Sequence, residues 1–213
     1  MKPRLSEVFT FLIIVAAALI GWYIYPALPE RLASHWNAAG QVNGYMSKFW
    51  GVFIMPIISF FLWLVFLVIP RIDPKKDNIA KFRKVFDVFV MVIFLFLFYL
   101  FILTLIWNVG LEFNLLLALA PVFAVLFLVS GYLIGHAEPN WTIGIRTPWT
   151  LSSETVWRKT HHLGKWLFSL CAIPAFLGIW FSSVAIWLIV VPIIAVALFL
   201  FVYSYFLYRA EKK

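Results

Sequence analysis

The sequence predicts an all-α membrane protein with six transmembrane helices and both termini in the cytoplasm, and three observations predict it. First, 64% of the 213 residues are hydrophobic and 12% charged, with a mean hydropathy of +0.98. A soluble domain of this length needs more charge than that to cover its surface. Second, six apolar runs approach about 20 residues, the length at which a helix crosses roughly 30 Å of hydrocarbon. Third, the cations segregate. Lys2, Arg4, Arg71, Lys75, Lys76, Lys81, Arg83, Lys84, Arg146, Arg158, Lys159, Lys165, Arg209, Lys212 and Lys213 all fall on one side of a six-span chain, leaving only Arg31 and Lys48 on the other. Cytoplasmic loops carry such an excess, so that side is read as inside.

The first run, Leu5–Tyr25, follows Lys2 and Arg4. It is longer than the roughly 7–15 apolar residues of a signal peptide and no small-x-small cleavage site follows it, so it reads as a retained span. An outer loop, Pro26–Lys48, carries His35-Trp36-Asn37, Gly40 and the turn signal Asn43-Gly44 before the second span, Phe49–Ile69. These two spans make an N-terminal region, residues 1–84, closed by Arg71–Lys84, which reads as a solvated cationic hairpin on the anionic inner leaflet.

The C-terminal region, residues 85–213, holds four runs: Val85–Trp107, Asn114–Ile134, Gly164–Ser182 and Val184–Tyr208. Only Ser182-Ser183 divides the last pair. A single helix there would be about twice as long as the bilayer is thick, so a tight hairpin is preferred. The inner loop, residues 135–162, lies between the fourth and fifth spans. Pro56, Pro121, Pro174 and Pro192 sit inside apolar runs, where each removes a backbone donor. A packing kink is the ordinary reading in a membrane helix, and a hinge is the functional one.

The middle of every span lacks an ionisable residue; Glu7, Asp87 and Lys165 lie at inner ends, where side chains reach water. Pumps and proton-coupled transporters need a buried relay, so this weighs against them. The net charge of +8 flanks apolar runs and faces lipid head groups, which argues against direct nucleic-acid binding. A single cysteine, Cys171, supports no disulfide framework.

His136, Glu138, His161 and His162 fall near the inner face. Histidines and a carboxylate brought together by folding bind zinc or activate water. No HExxH helix is present and a long loop separates the pairs, so they read as interfacial polar residues, and no metal or other cofactor is expected. Ser152 and Ser153 lack the glycine-flanked elbow of a nucleophile and read as caps of a helix starting near Glu154. Trp141, Trp149, Trp157 and Trp166 surround the same loop as an interfacial belt would. Arg146 lies between Gly144 and Thr147-Pro148, a setting that fixes its direction. Its partner stays open among an acid such as Glu154, a lipid phosphate and a protein.

At this loop the chain resembles the SdpI family of bacterial membrane proteins. The carrying residues are Gly144-Ile145-Arg146-Thr147-Pro148-Trp149-Thr150-Leu151-Ser152-Ser153, then Val156-Trp157, Thr160-His161 and Gly164. The N-terminal half is similar to the small membrane domain that accompanies that region, through Pro29, His35-Trp36-Asn37, Gly40, Gly44 and Lys48-Phe49. The resemblance implies a non-enzymatic immunity and sensor protein of the cell membrane that meets a secreted antimicrobial peptide toxin. In some members it also implies capture of a cytoplasmic transcriptional repressor. On that implication His35, Trp36, Asn37 and Gly40 contact toxin or organise the outer loop. The Gly144–Gly164 segment is then an output face or a structural motif. Two other readings stay open: a small peptide or lipid transporter of flippase type, and a membrane enzyme using the inner His, Glu and Arg set.

Overall fold

The structure is a computed structural model that describes residues 4–212, so Lys2 and Lys213 of the cation tally lie outside the described residues. In chain order its helices are α1 (Leu5–Ile24), α2 (Lys48–Ile72), α3 (Lys76–Lys81), α4 (Arg83–Asn108), α5 (Leu115–His136), α6 (Pro148–Ser152), α7 (Glu154–Leu170), α8 (Ala172–Leu177) and α9 (Ala185–Glu211). Between α1 and α2 stand two strands, β1 (Arg31–Trp36) and β2 (Val42–Ser47), paired antiparallel. Five helices, α1, α2, α4, α5 and α9, are long and apolar enough to cross a membrane. Each falls on one of the apolar runs.

The remaining run, Gly164–Ser182, departs from expectation. Its helix begins ten residues earlier, at Glu154, and breaks after Leu170. Pro174 has no amide proton to give the Leu170 carbonyl, and its ring crowds that carbonyl, so the ladder stops where the proline rule places the break. The chain continues as α8 and turns through Gly178–Val184 into α9. The other three intramembrane prolines, Pro56, Pro121 and Pro192, lie within unbroken helices.

Two groups of helices share α4. On one side α4 packs against α1 and α2, and on the other against α5. Beyond it α5, the α7–α8 run and α9 pack together. The α5–α7 seam is close because Gly131 and Gly135 face it. A Cβ on Gly131 would stand 2.6 Å from the Lys165 carbonyl, and one on Gly135 2.6 Å from the Lys165 side chain. This small-x-x-x-small spacing is the device by which membrane helices approach without a hydrophobic driving force. Farther along, Ala120, Ala124, Ala172 and Ala175 continue the seam with small buried residues.

The outer loop is more ordered than an irregular connection. Asn108, at the end of α4, accepts from the Ala33 amide at 2.7 Å and donates to the Ala33 carbonyl at 3.1 Å, clamping β1. Leu32 and Ala33 are wholly buried beneath the hairpin, with Gly51 and Val52 of α2 against them. We call this the hairpin end.

At the opposite, basic end, Glu7 is buried, not reaching water as its position in the sequence suggests. It pairs with Arg71 at 3.1 Å and Arg83 at 3.4 Å, while Asp87 pairs with Arg83 at 2.7 Å and Arg4 at 3.4 Å. Two carboxylates and three guanidiniums thus tie α1, α2 and α4 together. Arg71–Lys84 is likewise not a free cationic hairpin: it contains α3, and Asp73, Ile79, Phe82 and Arg83 are buried.

Candidate functional site

The segment 137–164 folds into one locked unit at the basic end. Asn140, almost fully buried, organises its first turn: its carbonyl accepts the Thr142 and Ile143 amides at 2.9 and 2.6 Å, and its amide donates to the Glu138 and Ile143 carbonyls at 2.8 and 2.9 Å. Buried Asp73, in the link between α2 and α3, accepts from the Trp141 amide at 3.1 Å and the Thr142 hydroxyl at 2.7 Å. Asn78 of α3 donates to the Pro139 carbonyl at 2.7 Å. The loop is therefore bolted to the N-terminal half of the chain.

Gly144 follows with φ of +113°, a conformation that L side chains rarely adopt, and a Cβ there would meet His161 Nε2 at 2.5 Å. The missing side chain admits the imidazole. His161 Nε2 accepts the Ile145 amide at 3.0 Å, and Nδ1 lies 2.9 Å from the Trp157 carbonyl one turn back. Those two partners require a proton on Nδ1 and none on Nε2, so the ring is neutral. Burial pushes its pKa down from 6.5 to about 4, opposed weakly by the Trp157 carbonyl. Trp157 stacks on the imidazole at 3.9 Å and donates to the Ala137 carbonyl at 2.8 Å. It is a core residue, 1% exposed, and not a member of an interfacial belt.

Thr147 and Pro148 start α6 as a cap and first-turn proline should. The Thr147 hydroxyl accepts the Thr150 amide at 3.1 Å and meets Ser204 of α9 at 2.9 Å. The Thr150 hydroxyl donates to the Ile145 carbonyl at 2.8 Å. Trp149 lies edge-on to Phe201 and Tyr205, 5.0 and 5.1 Å away, fixing α6 on α9. Ser153 caps α7 by accepting the Val156 amide at 3.2 Å; Ser152 bonds instead to the Pro148 carbonyl at 2.6 Å. Gly164 packs under Ile145, Ile134 and Leu200. Thr160 is fully buried, and its hydroxyl has no partner among the described residues.

Much of the motif is thus internal: Thr147, Thr150, Trp157, Thr160, His161 and Gly164 are buried, and exposed Gly144 lies over His161. Arg146 differs. It is exposed, donates to the Trp141 carbonyl at 2.8 Å, and has no carboxylate within 4 Å among the described residues. Glu154, one of the partners open to it in the sequence, pairs with Arg158 at 3.5 Å.

Beside this unit a polar cleft of about 740 Å³ is lined by Lys81, His136, Glu138, Arg158, His162 and Lys165 among others. Cations outnumber its single carboxylate. His136 Nδ1 bonds the Tyr132 carbonyl at 2.8 Å, and among the described residues no three His, Cys, Asp or Glu gather closely enough to hold a metal ion. His161 reaches the cleft wall, but both its nitrogens are occupied.

At the hairpin end, His35 bonds Asn43 across the strands at 2.5 Å, and Asn37 accepts the Ala39 and Gln41 amides at 3.0 Å each. Gly40, at φ +77°, leaves room for the Asn114 side chain, which in turn caps α5 through the Leu116 and Leu117 amides at 3.0 and 3.3 Å. Trp36 stands edge-on to Trp107 at 5.9 Å. All four residues therefore organise the hairpin, and His35 is exposed on it. Sequence reasoning passes over Asp73 and Asn108, because each acts on backbone far away in the chain, and over the local turn and cap that Asn140 and Asn114 make. The Gly131-x-x-x-Gly135 spacing, by contrast, is visible in the sequence as a signal of close helix packing.

Comparison with known proteins accords with this geometry. Residues 12–60 match the model of a domain of unknown function (DUF1648), and residues 136–204 match that of the SdpI/YfhL protein family. The second match covers the locked loop, α7, α8 and most of α9. The chain is also similar to the immunity protein SdpI of Bacillus subtilis (strain 168), 24% identical over 193 residues that make up 91% of this chain and 90% of that one. No solved structure matches it. By these matches and its five long apolar helices the chain is a multi-pass membrane protein, similar over residues 136–204 to the SdpI/YfhL protein family.

Proposed function

We propose that the protein confers immunity to a secreted antimicrobial peptide, acting at the cell membrane without catalysis. The observation that carries this is the similarity to an immunity protein over nearly the full length of both chains. In this reading the chain crosses the membrane six times, the α7–α8 run supplying the sixth crossing. Gly178 lies against Ala120, and Gly164 near Ile134. The run from 164 to 178 therefore lies antiparallel along α5 from Ile134 to Ala120, and this packing supports the sixth crossing.

Both termini and the locked loop then face the cytoplasm, and the hairpin faces out, where a toxin arrives. The two ends are mechanically joined. Asn108 at the end of α4 bonds the hairpin and Asn114, the cap of α5, lies against its Gly40, while the other ends of the same helices carry Arg83 and the chain leading into the loop. The cation-rich cleft offers an acidic cytoplasmic partner a surface, which suits capture of a transcriptional repressor.

Toxin challenge tests the reading. Sensitive cells expressing the chain should survive a cognate membrane-active peptide at concentrations that kill matched cells without it. Equal killing by every peptide encoded beside the gene would remove the immunity role. Hairpin variants such as Asn108→Leu, which leaves the Ala33 amide and carbonyl unpaired, should lower protection while the protein still reaches the membrane.

A further inference from the structure

A crevice of about 380 Å³ opens beside the exposed arginine of the family motif. Phe89 of α4, Leu133 and Ile134 of α5, Phe168 of α7 and Ala197 and Phe201 of α9 make its walls, and Gly144–Thr147 closes its basic end. Ala197 and Phe201 are exposed on its rim, so the apolar interior is continuous with the outward surface of a membrane helix. Its size falls within the roughly 300–1,000 Å³ of ligand-sized clefts. At its mouth stands Arg146. One of its donors is engaged by the Trp141 carbonyl, which orients the guanidinium, and among the described residues no carboxylate neutralises it. Glu154, the nearest acid in sequence, is engaged by Arg158.

An apolar slot open to hydrocarbon, ending in an oriented, uncompensated guanidinium, is complementary to one kind of molecule. We infer that this crevice binds an anionic phospholipid, an acyl chain lying between α4 and α9 and the phosphate on Arg146. The guanidinium fork matches two phosphate oxygens, which a lysine cannot do. Basic pockets between membrane helices on the cytoplasmic side take acidic head groups by the same logic. Arg146 borders Gly144 and Thr147, which touch His161 and Ser204. A lipid held there would therefore rest directly on the locked loop and α9. This goes beyond the immunity reading and stands on different residues from the hairpin.

Native mass spectrometry of the purified full chain tests it, with equimolar phosphatidylglycerol and phosphatidylcholine added in detergent. The wild type should retain the anionic lipid about tenfold over the zwitterionic one, the worth of a charge-assisted contact. Arg146→Gln should erase that preference, and Arg146→Lys should keep part of it. Ala197→Phe, which fills the crevice from an exposed rim position with the loop untouched, should lower retention of phosphatidylglycerol even with Arg146 intact. It carries the test should the Arg146 variants fail to fold. Soluble glycerol phosphate, which has no chain, should compete poorly. Equal retention of both lipids, preference unchanged in Arg146→Gln, retention unchanged in Ala197→Phe, or competition by glycerol phosphate as strong as by lipid would each overturn the proposal. So would displacement of the lipid by an apolar peptide with a free carboxylate, which would reassign the crevice to peptide.

Discussion

His161 shows how much of the site rests on one proton. Its ring joins the loop to α7 only while Nε2 is bare, because a proton there would face the Ile145 amide donor. The native pKa of about 4 against an ordinary 6.5 sets the sign. Between those values the unfolded chain takes up a proton that the folded chain refuses. Stability from this group is therefore complete above about pH 6.5, falls as pH drops, and is lost once pH passes below about 4. The full swing is about 3 kcal/mol. Thermal unfolding in detergent across that window should show wild type losing stability faster than His161→Gln, which keeps an acceptor and a donor but does not titrate. The difference between the two isolates this ring from the carboxylates that titrate in the same range. Parallel curves would show that the imidazole is not held neutral.

Among the elements, the seam between α5 and α7 decides where the locked loop sits. It depends on Gly131 and Gly135, whose absent side chains let the α7 backbone approach. Gly131→Leu must push Lys165 and Ser169 away and tilt α7, at a cost of about 2 kcal/mol or more, since overpacking a close contact has no cheap relief. Val125→Leu, on the exposed face of α5, should change unfolding by less than about 0.5 kcal/mol. A Gly131→Leu variant as stable as that control would mean that the seam is looser than described. The same helix shows what a sequence discloses. Run length and charge are properties of the chain in one dimension, so five crossing helices and the Ser153 cap are readable without a structure. The clustering of Gly144 to Gly164 is readable too, through a motif. The hairpin is not, because its first strand is fixed by Asn108 bonding the Ala33 backbone and by Leu32 packing on Gly51 of α2, contacts that neither strand's own sequence discloses. Nor is the role of Trp157, whose interfacial residue type conceals a stack on His161 and a bond to Ala137.

For the whole molecule the number of crossings fixes which face meets which partner. By helix count alone, five long apolar helices and one broken helix allow two threadings. If the α7–α8 run crosses, the turn at Ser182-Ser183 lies on the side of the hairpin, and α9 returns its basic end to the side of the locked loop. If it did not cross, the turn would stay with the loop and the C-terminus would move to the hairpin side, away from Thr147 and Trp149, which Ser204 and Tyr205 touch. The packing of Gly178 against Ala120, in the half of α5 nearer the hairpin, favours the first. Cation placement does as well, since Arg209 and Lys212 then join the other inner cations. The one cysteine, Cys171, is buried, so a Cys171→Ser background gives a clean chain for labelling. In it Ala38→Cys and Ser183→Cys should react with a membrane-impermeant maleimide on intact cells, and Ser152→Cys only after permeabilisation; all three positions are exposed. Protection of Ser183→Cys together with reactivity of Ala38→Cys would reduce the crossings to five. The immunity reading could survive that result, but the shared cytoplasmic face of loop and C-terminus would not.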